Sequence, residues 1–190
     1  MRIITINLMN DSYLNELEVG FDLVSYTYNL VKPIITQLQK KYFIKYSSII
    51  EAYGQLKPIV AATNGNLIEK KILDLGCGTD PPLDINYFGL PFIPNLCRLL
   101  HELGAHPIGI DLGNLDNEEF EHHYVDLMEK NSLRFLPDFS IDVAIAIDLF
   151  TSPSLEERFG INAGKKLEEN LLPQLERIVK PEGYFIHNGK

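Results

Sequence analysis

Alternating and unbroken stretches of apolar residues give the chain two different rhythms. Ile4, Ile6 and Leu8 alternate with Thr5 and Asn7, a period of two that predicts a half-buried strand over residues 3–8. Residues 11–62 read as helical, and Pro33 and Pro58 divide them into several helices rather than one. Within them, Ser48-Ile49-Ile50-Glu51 has the spacing of a capping box, in which Ser48 accepts from an orphan amide and Glu51 reaches back. Thr63-Asn64-Gly65-Asn66 is a loop signal. It sets the expected boundary between an N-terminal strand with a helical cap, residues 1–66, and a second unit, residues 67–190.

From Lys71 onward strands alternate with helices. Ile72-Leu73-Asp74-Leu75 is a short apolar strand that runs into glycines. Leu96, Leu99, Leu100 and Leu103 recur at helical spacing, with Asn95 placed to cap the start and Gly104 the end. Pro107 to Asp111 reads as a second strand and His123 to Asp126 as a third. Ile141 to Asp148 is a fourth, an almost unbroken apolar run of the kind buried on both faces. Ser154-Leu155-Glu156-Glu157 repeats the capping-box spacing, and Leu167, Leu171, Leu175 and Ile178 share one helix face. Lys180-Pro181-Glu182-Gly183 turns the chain into a fifth strand, Tyr184 to His187. This rhythm predicts an α/β fold built on a doubly wound, mainly parallel sheet.

At 190 residues and 45% hydrophobic, the chain suits one domain with a full core, and its composition is not that of a disordered protein. No apolar run approaches the roughly 18 residues of a spanning helix. Residues 1–10 lack the basic-then-apolar pattern of a secretory signal, so a cytoplasmic protein without membrane contact is expected. Cys77 and Cys97 form no metal spacing and are expected to be reduced. The net charge of −9 is concentrated in residues 71–190, which hold 10 Lys/Arg against 20 Asp/Glu. An acidic body repels phosphate backbones and argues against nucleic acid as a partner. One basic stretch, Lys32, Lys40, Lys41 and Lys45 with Tyr42, Phe43 and Tyr46 between them, reads as the solvated side of an amphipathic helix.

The candidate chemistry lies in Asp74-Leu75-Gly76-Cys77-Gly78-Thr79-Asp80. Alternate glycines after a buried strand let the backbone turn tightly and come close to a ligand. A dinucleotide site would want G-x-G-x-x-G, but Pro81 stands where its last glycine belongs. It would also want a helix N-terminus directly behind the loop, yet the next helix starts near Asn95. The acid before the glycines gives another reading. This segment resembles the first motif of class I S-adenosylmethionine-dependent methyltransferases, which have a Rossmann-like sheet, and the resemblance covers roughly residues 68–188.

The resemblance implies that Asp74, Gly76, Cys77 and Gly78 hold the methionyl end of S-adenosylmethionine. It implies that Asp111, followed by Leu112, accepts the ribose hydroxyls, and that Asp126, followed by Leu127, receives the adenine amino group. Asp148 ends the fourth strand beside the expected methyl position, and Lys180-Pro181-Glu182-Gly183 is close to the family's fifth-strand turn. Each acid has a second reading, as a turn or helix-capping carboxylate. Asp80 replaces a third glycine, either tolerating another loop angle or facing the ligand's amino group. Residues 81–95 form an added proline- and aromatic-rich stretch, either a cover for the ligand or a surface loop. Asp148-Leu149-Phe150-Thr151-Ser152-Pro153 does not match the motif of amino-group methyltransferases.

The expected function is therefore transfer of a methyl group to a small-molecule acceptor. The alternative is a non-catalytic protein that binds the same ligand. Asp148, His122, His123 and Tyr28 are the candidate bases, and the histidines have no metal pattern. The family adds two strands after the fifth, one antiparallel, so the sheet is expected to be shortened there or to have those strands replaced. The open edge of the fifth strand is then covered by the N-terminal strand, or by that of a second copy in a homodimer.

Overall fold

A computed structural model of the chain describes residues 1–6, 21–43, 46–80 and 92–188. In chain order its elements are β1 (Arg2–Ile6), α1 (Leu23–Val31), a 3-10 turn (Lys32–Ile34), α2 (Ile35–Tyr42), α3 (Tyr46–Ala62), β2 (Lys71–Leu75) and α4 (Asn95–Glu102). There follow β3 (His106–Asp111), β4 (Glu121–Tyr124), β5 (Ile141–Ala146), α5 (Pro153–Phe159), α6 (Ala163–Ile178) and β6 (Val179–Asn188). The six strands form one sheet in the order β1-β6-β5-β2-β3-β4, and every pair is parallel. From β2 the chain winds outward first through β3 and β4, then through β5 and β6. The reversal between β2 and β5 opens a crevice at the carboxyl ends of these strands, where α/β sheets bind ligands.

Both faces of the sheet are covered, and the alternation of side chains decides which residue goes where. Ile72, Val143, Ile145 and Ile186 face a buried cluster built with α1, α3 and α4. Leu73, Leu75, Ala144, Ala146 and Phe185 face the other, built with α5 and α6. The unbroken apolar run of β5 is thus split residue by residue between two cores, as a strand buried on both sides requires. Leu167, Leu171, Leu175 and Ile178 form the buried stripe of α6.

Several local expectations shift. Pro33 separates α1 from α2, but Pro58 lies inside α3 without ending it. The carbonyl that Pro58 leaves unbonded belongs to Gly54, the most pliable backbone available there. Ser48 is not a cap, because α3 begins at Tyr46. Asn95 is the first residue of α4 rather than its cap. Gly104 does end that helix, with φ at 82°, its amide bonded to His101 and that of Ala105 to Leu100. Ser152, not Ser154, precedes α5. The third strand runs two residues earlier than expected and the fourth stops at Ala146. Lys180–Gly183 bulges within β6 instead of preceding it, between the pairs Ile141–Val179 and Val143–Tyr184.

No antiparallel strand is present among the described residues, and the sheet continues past β6 through β1 of the same chain. Arg2 pairs with Tyr184 and Ile6 with Asn188, while Ile4 and Ile6 turn into the core. The Met1 amine donates to the Pro181 carbonyl at 2.8 Å. Residues 7 and 8 of the expected strand lie outside the described residues. No helix among the described residues is long and apolar enough to cross a membrane.

Removing residues 1–6 bares the amides and carbonyls of β6 and withdraws two isoleucines worth about 3–6 kcal/mol together. The shortened chain is expected to aggregate or to melt at a markedly lower temperature in calorimetry. An unchanged mass in light scattering with an unchanged melting temperature would refute this role for β1.

Candidate functional site

The glycine loop is clamped on two sides. Gly76 and Gly78 both take positive φ, at 74° and 86°. The amides of Gly76 and Cys77 donate to the Ile110 carbonyl at 2.8 and 3.2 Å, so the loop leans on the end of β3. The Gly78 amide donates to Asp111 Oδ2 at 2.9 Å, and Leu112 donates to Asp111 Oδ1 at 2.6 Å. From the far side the chain returns against the loop, with Thr79 donating to the Phe92 carbonyl at 3.0 Å. A Cβ on Gly78 would stand 2.5 Å from the Phe92 carbonyl carbon, so no other residue fits. Burial pushes the Asp111 carboxyl above the ordinary carboxylate range; the amides of Gly78, Leu112 and Gly113 and the charge of Arg158 partly offset this.

A cleft of about 790 Å³, its open mouth included, lies over the strand ends. Gly76, Gly78, Asp111, Leu112, Asp126, Leu127 and Asp148 all line it. Asp126 accepts the Met128 amide on Oδ1 at 2.8 Å, a turn bond that leaves its second oxygen available. Asp148 has φ at 56° and a reciprocal partner in Asn188, which accepts the Asp148 amide at 2.8 Å and donates to its carboxylate. Sequence reasoning missed Asn188, and missed Ser152, Ser154, Arg158 and Phe159, which wall the cleft from the α5 side. One signal was at hand: α5 follows β5 after a short turn and so starts above the carboxyl edge of the sheet.

Asp74 and Cys77 lie elsewhere. They line a second, much smaller cavity with Ser48, Glu51 and Gln55 of α3 and Asn95 of α4. Gly76, Phe92 and Ile147 line both spaces, so the two adjoin across the glycine loop. Asp74 shares the face of Ile72 on β2, which turns it toward the helices. It is 6% exposed, and Cys97 Sγ donates to it at 3.4 Å. Burial pushes its carboxyl up to about 7; the Cys97 bond lowers it somewhat and Asp111 raises it. Asn95 Oδ1 is buried beside it without a partner. Cys77 packs with Cys97, Leu115 and Phe120, and both thiols are free.

The departures from the resembled motif find local partners. Asp80 pairs with Arg98 at 2.9 Å, and the same guanidinium holds Glu118 with two nitrogens and lies 4.7 Å from the Tyr42 ring centre. Glu118 and Arg98 are almost wholly buried. In the basic stretch, Lys41 is bonded to Glu102 and Glu119, which keeps it charged to well above its ordinary range, and Lys32 lies over the Tyr28 ring. Lys45 and most of the added stretch, residues 81–91, lie outside the described residues. Of the candidate bases only Asp148 lines the cleft. His122 bonds the Phe120 carbonyl, His123 bonds Glu121, and Tyr28 lines an apolar groove between α1 and α3. No group of three or more metal-ligating side chains occurs among the described residues. No model of a known protein family matches the chain, and no curated protein matches it.

Three substitutions test this anatomy. A carboxyl whose folded pKa is raised binds a proton that the unfolded chain has lost, here between about pH 4 and pH 7. Its favourable effect is complete at lower pH and fades as pH rises through that window. Asp74→Asn should therefore melt with wild type near pH 4 and above it at pH 8; equal melting at both would exclude a strained carboxylate. Arg98→Leu leaves Glu118 charged and buried, at a cost of about 3–5 kcal/mol in urea unfolding, most of which Glu118→Leu in the same chain recovers.

Proposed function

We propose that this protein binds S-adenosylmethionine and transfers its methyl group to a small molecule. The observation that carries the reading is the pair of adjoining spaces on either side of the glycine loop, each supplied with acceptors. On one side are Asp111 and the spare oxygen of Asp126; on the other are Asp74 and the orphaned Asn95 Oδ1. The ligand has vicinal hydroxyls and an amino group on its nucleoside and an ammonium on its tail, so donors at both ends meet acceptors at both ends. A pyrophosphate would instead meet five carboxylates, those of Glu51, Asp74, Asp111, Asp126 and Asp148, and α4 begins too far from the loop to offset them.

When bound, the sulfonium supplies an activated methyl group. The chain's own part is alignment. Asp111 spends one lone pair of each oxygen on the amides of Gly78 and Leu112 and keeps others for the ribose. Asp126 faces the base, and Asp74, with Asn95, Glu51 and Gln55 nearby, takes the tail. Leu149, Leu155 and Phe159 give the remaining space an apolar lining. Holding two reactants in line lowers the barrier by up to about 7–11 kcal/mol, so no fixed triad is required. A second reading, binding without transfer, draws on Asp148: the one candidate base at the cleft is already engaged by Asn188.

Calorimetry is expected to detect S-adenosylhomocysteine binding and no NAD binding; the reverse result would end the proposal. Asp111→Ala removes up to two charge-assisted bonds of about 1.5–3 kcal/mol each, so affinity should fall at least tenfold. The melting temperature should also drop, because two loop amides lose their acceptor. Release of S-adenosylhomocysteine from labelled donor in a metabolite extract separates transfer from binding alone.

A further inference from the structure

The strand-end wall of the cleft is acidic, and the opposite wall is not. Arg158 of α5 is the one cation among the described residues that line it. Its guanidinium is exposed, with no acid at ion-pair distance among the described residues. Arg98 and Arg177, by contrast, are bonded to carboxylates, and Arg177 to two carbonyls as well. Arg158 is near enough to Asp111 to act on its charge, yet Asp111 spends its short bonds on backbone amides. Neutralising Asp111 is thus not what the fork of N–H groups is built for.

Ser152 and Ser154 line the same wall, bonded to each other at 2.8 Å. A linked pair of hydroxyls uses one proton and has one left to donate. We propose that Arg158, with this serine pair, holds the acceptor by a carboxylate, so that the substrates are small carboxylic acids with an apolar body. The inference rests on the methyl-transfer reading above. Arginine's planar fork matches two coplanar oxygens. A singly charged carboxylate is favoured over a phosphate, whose second charge would face Asp111, Asp126 and Asp148. Leu149, Leu155 and Phe159, which line the same cleft, supply contact for the apolar remainder.

The test uses the full chain saturated with S-adenosylhomocysteine and ligand-observed NMR. The probes are benzoate, phenylacetate and hexanoate, their primary amides, and phenyl phosphate. The acids are expected to bind, and the amides and phenyl phosphate to bind more weakly. Arg158→Gln should cost at least about tenfold in affinity for the acids while S-adenosylhomocysteine still saturates the variant, and Arg158→Lys should recover only part. Acids no better than amides, no acid binding, phenyl phosphate binding best, or an Arg158→Gln variant that keeps its acids would each overturn the proposal. Failure of S-adenosylhomocysteine to bind wild type, measured first and separately, marks failure of the underlying reading instead.

Discussion

Two neighbouring strands end side by side, and the carboxylate closing β3 accepts the amide of the glycine loop that closes β2. Much of the site follows from that bond. It fixes where Gly76 and Gly78 turn, and so where the returning chain at Phe92 can pack. It also separates the two spaces that share the loop as a wall. Asp111 is engaged by the fold before any ligand arrives, so the group proposed to recognise a ribose is also a structural support. Selection for binding and selection for stability cannot act on it independently.

Charge is distributed to the same end. Arg98 gathers Asp80 from the loop and Glu118 from the segment after β3, while Lys41 reaches from α2 to Glu102 and Glu119. Two cations from helices thereby fasten four acids that would otherwise repel one another around the loop. Asp74, Asp111, Asp126 and Asp148, which border the two cavities, have no cation at contact distance among the described residues. A chain with net charge −9 can keep such a cluster only if its other carboxylates close by are paired.

What the sequence disclosed follows physical locality. The glycine loop, the acids near the ends of β2 and β3, the Gly104 stop and the two-sided burial of β5 depend on neighbours a few residues away, and all were readable. Capping was less so: Ser48 and Ser154 have the spacing of a cap, but the pattern does not say where the helix axis starts. The position of β4 was set by pairing of Ile108 with Glu121 and Asp111 with Tyr124, a long-range register that alternation alone does not encode. Asn188, Arg158 and Asn95 meet the site only once sheet order is known. Pro58, a helix breaker by rule, lies inside α3 without ending it, an outcome that residue type alone does not encode.

The parallel pairing of β1 with β6 joins positions about as distant in sequence as this chain allows, separated by 182 residues at Arg2 and Tyr184. During synthesis β1 emerges well before β6, and so without its partner. Ile4 and Ile6 must therefore wait, exposed, while the intervening helices and strands assemble. Closing so long a loop comes late in folding and is slow compared with helix formation. The crevice between β2 and β5 does not depend on that closure, whereas the outer flank of the sheet needs both β1 and β6 in place.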